Sequence, residues 1–113
     1  MNIKRGEVWL AALDPTIGGE IQKTRPVIIV SNNFSNFSNN VVTVVPITSN
    51  TARVFSFEVF LPTGIAGLPK DSKAKADQIR TLDKSRLVKL YGQLPASFIN
   101  DLDRAIKLHL DLL

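Results

Sequence analysis

The chain has no cysteine, and it has one histidine, one tryptophan, one tyrosine and one methionine in 113 residues. Without cysteine it forms no disulfide and no thiolate metal site. The single histidine, His109, excludes an acid–base pair of histidines within one chain. Its place near the middle of an apolar helical arc marks it as a partly buried structural residue rather than a catalytic one. Zinc needs three or four clustered His, Cys or carboxylate ligands, and none cluster here. No DxD-type carboxylate pair falls on a strand, which argues against two-metal hydrolysis. Gly18-Gly19 is not followed by Gly-Lys-Ser/Thr, so it is a flexible turn and not a phosphate-binding loop. Serines without a general base are inert nucleophiles. The expected metal and cofactor content is therefore none. No apolar run approaches the ~20 residues of a membrane helix. The start, Met1-Asn2-Ile3-Lys4-Arg5-Gly6-Glu7, has no apolar stretch after its positive pair and is not read as a secretory signal. A cytoplasmic protein without membrane contact is expected.

What the chain does have is enough apolar content for a core, at 44%, and a net charge of +4. A chain of this size removes roughly two-thirds of its unfolded surface from water on folding, which makes residues 1–113 one domain. The positive excess is uneven. Residues 1–92 hold 12 of the 14 Lys and Arg but 7 of the 10 Asp and Glu, so the basic field belongs to the body of the domain and not to its end. That favours a polyanionic or acidic partner.

Glu7-Val8-Trp9-Leu10-Ala11-Ala12 reads as a strand, entered after Gly6 and ended by Asp14-Pro15, with Trp9 in the core. Residues 16–24 form a loop. Pro26 to Ser31 is a second strand whose continuous apolar run predicts burial on both faces. Asn32 to Asn40 reads as a loop of asparagine, serine and two phenylalanines. Val41 to Ile47 is a third strand, and Pro46 marks an edge or a bulge near its end. Residues 55–60 alternate as a fourth strand, 62–70 form a Gly/Pro loop, and 74–81 read as a fifth strand. A turn at 82–85 precedes a short strand over 87–91. From Pro95 the period becomes helical: Phe98, Leu102, Ala105, Ile106, His109 and Leu113 share one face. The predicted fold is mainly β with α, five to six short strands in a small barrel closed by a C-terminal helix.

Four segments carry chemistry. Lys23-Thr24-Arg25-Pro26 runs into Val27-Ile28-Ile29-Val30 and Ser31-Asn32. A proline fixes its own φ and pushes the preceding residue towards extended backbone. Arg25 is thus held at the mouth of a buried strand, a rigid cation suited to a phosphate. The others are Arg5-Gly6-Glu7-Val8-Trp9, then Asp14-Pro15 with Gly18-Gly19-Glu20, then Val45-Pro46-Ile47-Thr48 with the later Asp77-Gln78-Ile79-Arg80-Thr81-Leu82-Asp83-Lys84. In that order and at those spacings the chain resembles, over its full length, the MazF/PemK toxins of bacterial toxin–antitoxin pairs.

The resemblance implies an SH3-like barrel of the MazF/PemK/CcdB type that pairs into a two-fold homodimer. It implies a metal-independent endoribonuclease that cuts single-stranded RNA within a short sequence, leaving a 2′,3′-cyclic phosphate and a 5′-hydroxyl. By the same resemblance the catalytic residues are Arg25 and Thr48. Glu20, Lys23, Ser31, Asp77, Gln78 and Arg80, from the shared segments, are expected RNA contacts, together with Lys70. Chemically, the RNA supplies its own 2′-hydroxyl nucleophile, and the protein must stabilise a dianionic phosphorane. Arg25 can donate a planar fork of hydrogen bonds and Thr48 one more. A guanidinium holds its proton tightly, so Arg25 is read as electrostatic stabiliser first and proton donor second. Glu20 is a candidate base; pairing with Lys23 or contact with a nucleobase are the alternatives. Phe34 and Phe37 either stack on unpaired bases or pin their loop to the barrel. Lys73, Lys75, Arg53 and Arg86 either track phosphates or are solvated. The implied partner is an acidic MazE-like antitoxin segment occupying the same groove. The rival readings are a non-catalytic CcdB-like gyrase inhibitor, whose C-terminal tryptophan this chain lacks, and an RNA-binding relative without activity.

Overall fold

A computed structural model describes residues 2–112. Seven antiparallel strands and two α-helices follow in the order β1 (Glu7–Ala12), β2 (Thr24–Ile29), α1 (Asn33–Ser38), β3 (Val41–Thr48), β4 (Glu58–Leu61), β5 (Ser72–Lys75), β6 (Arg80–Asp83), β7 (Leu87–Gln93) and α2 (Ala96–His109). The sheet runs β4-β5-β3-β2-β1-β7, with β6 pairing β3 as well. It is not a closed barrel. Of its end strands, β7 packs against a 3-10 turn at Ile65–Gly67 and β4 packs against α2. The fit of that turn is tight. Gly67 has a positive φ of 76°, and a Cβ there would lie 2.5 Å from the Tyr91 carbonyl oxygen.

Both faces of the central strands are buried, as the unbroken apolar run of β2 predicts. Val8, Ile28, Val45 and Ile47 point to a cluster that also holds Leu61, Leu68 and, from α2, Leu102 and Ala105. Their immediate neighbours Trp9, Val27, Ile29 and Val44 point to a second cluster with Leu13, Val42, Leu82 and Leu87. The alternation of the strand sends successive side chains to opposite faces, so one short strand feeds two cores. Trp9 is in the core as expected, its indole N–H donating to Glu7 Oε1 at 3.1 Å.

Several local expectations differ from the structure: the strand expected over 55–60 is Glu58–Leu61, and residues 82–83, expected in a turn, end β6. The segment 74–81 is not one strand: β5 and β6 run along the same edge of β3 but are separated by a 3-10 turn at Ala76–Gln78. Ile47 opposes Ala74, yet Val44, three residues back, opposes Arg80, six residues on. Three surplus residues therefore bulge out of the ladder, opposite Val45 and Pro46. Pro46 has no N–H to give a partner there, which is the irregularity its presence predicts. The asparagine-rich segment is not a plain loop either. Asn32 caps α1 by accepting from the Ser35 N–H at 2.8 Å, and the buried Asn36 amide donates to the Ser31 carbonyl at 2.9 Å. Phe34 and Phe37 are 80% and 78% exposed, so they do not pin this segment to the sheet.

In α2, Leu102 and Ala105 are buried and Phe98, Ile99 and Ile106 pack against the first cluster. His109, the last residue of α2, is exposed rather than partly buried; its ring lies 6.3 Å from that of Phe57. Leu113, assigned to the same face, lies outside the described residues.

Candidate active site

Strands β2 and β3 are antiparallel, with Val27 opposite Pro46. Continuing that register by two residues sets Arg25 opposite Thr48. The start of one strand and the end of the next thus meet at the rim of the sheet. A cavity of about 190 Å³ opens there, lined by Arg25, Thr48, Ser49 and Lys70 on its polar side and by Leu10, Pro26, Ile47 and Leu68 on its apolar side. Three of the expected site residues are therefore together. Among the described residues no Asp or Glu lines the cavity.

Arg25 is exposed and makes one hydrogen bond, from Nε to the Gln22 carbonyl at 3.4 Å, and no ion pair among the described residues. Both terminal nitrogens of its guanidinium remain available. The Thr48 hydroxyl accepts from the Asn50 N–H at 3.3 Å, which leaves its own proton free to donate. Unpaired donors beside apolar side chains, with no carboxylate of the described residues in the lining, form an arrangement able to accept an anion.

Four more expected residues gather in a neighbouring cavity of about 510 Å³, lined by Ile17, Gly19, Glu20, Asp77, Gln78, Ile79 and Arg80. Here the side chains chiefly hold the loop before β2. The Gln78 carbonyl oxygen accepts from the Ile21 N–H at 3.2 Å, and its amide donates to the Gly19 carbonyl at 3.2 Å. Glu20 Oε1 accepts from the Ile17 N–H at 2.8 Å and pairs with no lysine among the described residues. Arg80 donates to the Leu13 carbonyl at 3.3 Å. Asp77 Oδ1 is buried without a hydrogen bond, with Lys75 Nζ at 3.8 Å. Lys23 adopts a positive φ of 69°, and its N–H donates to Asp14 Oδ1 at 3.0 Å, while its exposed ammonium is unpaired among the described residues.

Ser31 stands apart. It lies six residues beyond Arg25, roughly 20 Å along an extended chain. Its hydroxyl donates to Asn36 Oδ1 and accepts from the Thr43 N–H at 3.0 Å. It lines a third cavity, of about 510 Å³, with Arg5, Asp103 and Lys107. The structure does not bring it to Arg25.

Several basic residues have structural partners that local sequence does not reveal. The Arg86 guanidinium donates to the Ala12 carbonyl at 3.1 Å and to the Asp14 carbonyl, which ties down the end of β1. Lys73 and Lys75 reach Glu58 at 3.0 and 2.8 Å. Glu58 was missed by sequence reasoning, since it reads as the outward residue of an alternating strand; its side chain is in fact fully buried, with Oε1 accepting from the Phe55 N–H at 2.9 Å. Burial by itself would raise its carboxyl, and hydrogen bonds from Lys75, the Phe55 N–H and Lys73 together outweigh it, so the group is held below its ordinary value of 4.5.

A family profile described as PemK-like, MazF-like toxin of type II toxin-antitoxin system matches residues 4–110. The chain belongs to this toxin family. Among its relatives, Endoribonuclease MazF9 of Mycobacterium tuberculosis is 44% identical over 97% of this chain and 98% of its own. Endoribonuclease PemK of Escherichia coli is 41% identical over 88% of this chain and 76% of its own. An endoribonuclease from a mycobacterial species, solved in complex with its cognate antitoxin, superposes with a TM-score of 0.82 at 25% identity, covering 98% and 97% of the two chains. The PemK/MazF assignment does not favour the gyrase-inhibitor reading. No helix among the described residues is long and apolar enough to cross a membrane.

Proposed function

We propose that this protein is the toxin of a type II toxin–antitoxin pair and cleaves single-stranded RNA without a metal ion. The observation that carries the reading is the meeting of Arg25 and Thr48 across the β2–β3 rim, in a cavity with an apolar floor and no carboxylate. That meeting occurs in a chain whose relatives are named endoribonucleases. The 2′-hydroxyl attacks the adjacent phosphorus and the 5′-oxygen leaves, giving a 2′,3′-cyclic phosphate and a 5′-hydroxyl. The attack concentrates charge on the non-bridging oxygens. Arg25 presents two free nitrogens to those oxygens and Thr48 presents a hydroxyl, while Lys70 adds positive field at the cavity wall. In this reading Gln78, Glu20 and Arg80 act mainly by shaping the loop that borders the groove.

The same positive, carboxylate-free surface suits an acidic antitoxin segment, which would neutralise the toxin by covering Arg25. The protein works as a cytoplasmic homodimer. Exposed Val88 and Leu90 on β7, and Leu108, Leu110 and Leu112 at the end of α2, leave apolar surface for a second copy. The test is digestion of a long, structure-poor RNA in EDTA with mapping of the new ends. Discrete cuts bearing 2′,3′-cyclic phosphate are expected. A folded protein that leaves the RNA intact overturns the reading.

A further inference from the structure

The nine residues after Thr48 have no regular secondary structure, and they cross the outer face of the β3–β5–β4 edge as a strap. Two side chains beneath the strap grip its backbone. Lys73 Nζ donates to the Arg53 carbonyl, and Glu58 Oε1 accepts from the Phe55 N–H at 2.9 Å. The two are bonded to each other at 3.0 Å, with side chains 9% and 0% exposed. Lys73 is also the direct cross-strand partner of Thr48. Opposite residues of an antiparallel pair project to the same face, so the clamp is built beside the threonine that begins the strap. The Thr48 hydroxyl in turn takes its orientation from the strap, through the Asn50 N–H.

A buried ion pair is a poor way to gain stability, because desolvation offsets most of the attraction and an apolar pair would serve as well. What charge adds is directionality: an ammonium and a carboxylate accept one arrangement of the strap backbone and reject others. We propose that Glu58 and Lys73 are positioning residues for RNA cleavage, holding the strap so that the Thr48 hydroxyl faces the phosphate beside Arg25. This rests on the assignment of the Arg25–Thr48 cavity as an RNA-cleaving site. Lys75 provides the internal contrast. It binds the same carboxylate at 2.8 Å but donates to no strap carbonyl among the described residues.

The experiment compares the full-length parent with Glu58→Gln, Lys73→Met, Lys73→Arg and Lys75→Met, each at a temperature where thermal melting shows it folded. Single-turnover cleavage of the structure-poor RNA is measured beside binding of the same RNA carrying a 2′-deoxy sugar at the mapped cut. Misplacing a reacting group by about 1 Å costs roughly 10²-fold, and a loss of that order is expected for Glu58→Gln and Lys73→Met. Binding of the deoxy RNA should stay within about threefold, since Arg25 and Lys70 are untouched. Lys73→Arg should recover part of the rate, and Lys75→Met should lower the melting temperature while leaving the rate near that of the parent. Equal cleavage by the parent, Glu58→Gln and Lys73→Met overturns the proposal and leaves the RNase assignment standing. Equal rate losses for Lys75→Met and Lys73→Met make the cluster merely structural and also overturn it. A parent that does not cut removes the assignment and the proposal together.

Discussion

Replacing Arg25 tests the site most directly, because the structure separates its chemistry from the fold. Arg25 is exposed, forms no ion pair among the described residues, and has one long hydrogen bond of 3.4 Å. Substitution at such a position typically changes stability by less than about 0.5 kcal/mol. For a domain of this size that is a melting shift of less than about 4 °C. The cleavage rate should respond quite differently. A preorganised donor to a developing oxyanion is worth ~10²–10³ in rate, so Arg25→Ala should lose at least that much. Arg25→Lys keeps the charge but loses the planar two-pronged contact, and a rate between parent and alanine variant follows. The assay is single-turnover cleavage in EDTA, with melting curves recorded on the same samples. A folded Arg25→Ala protein that cuts within about threefold of the parent, an energy difference under about 1 kcal/mol, would refute the placement of charge stabilisation on Arg25.

Gln78→Leu removes both amide contacts to the loop before β2. At about 0.5–1.5 kcal/mol for each bond, the Ile21 amide should exchange with solvent roughly tenfold faster, as read by NMR. Unchanged exchange would show that the loop is held by other contacts. Because Lys73 and Lys75 are committed to Glu58, the cations that line the two cavities without a carboxylate partner among the described residues are Arg25, Lys70 and Arg80. Three neutralised phosphates give a log–log salt dependence of binding of about −2. Acid stability should carry the mark of Glu58. Its folded carboxyl lies below 4.5, so its contribution is present above that pH and is lost as pH falls through the lower folded value. Glu58→Gln should accordingly flatten the fall of melting temperature below about pH 4.5, and an identical acid limb in both proteins would show that Glu58 is not responsible.

Much of the fold is local in origin. Trp9 and the apolar run of β2 bury themselves wherever the strands go, and Pro46, with no N–H to give, marks the place where one neighbouring ladder is broken while the β2 ladder runs through it. The helical period after Pro95 is similarly self-contained, so these elements were legible from residue order alone. Family resemblance could name the pairing of Arg25 with Thr48, but residue order could not supply it, since it depends on the antiparallel register of β2 and β3. The three-residue bulge at Ala76–Gln78 was hidden for the same reason: Asp77 and Gln78 look ordinary in a strand until the partner strand leaves them no place. Charge was the least legible property. Lys73, Lys75 and Arg86 look like any surface cations, and Glu58 looks outward-facing, because solvent exposure is decided by chain segments distant in sequence. Glu58 and Lys73 are buried against each other and against the backbone of Arg53 and Phe55, contacts that exist only once the chain is folded. Composition and local pattern thus determined the elements and the anion-binding residues available. Tertiary structure decided which of those cations remain free to meet a phosphate.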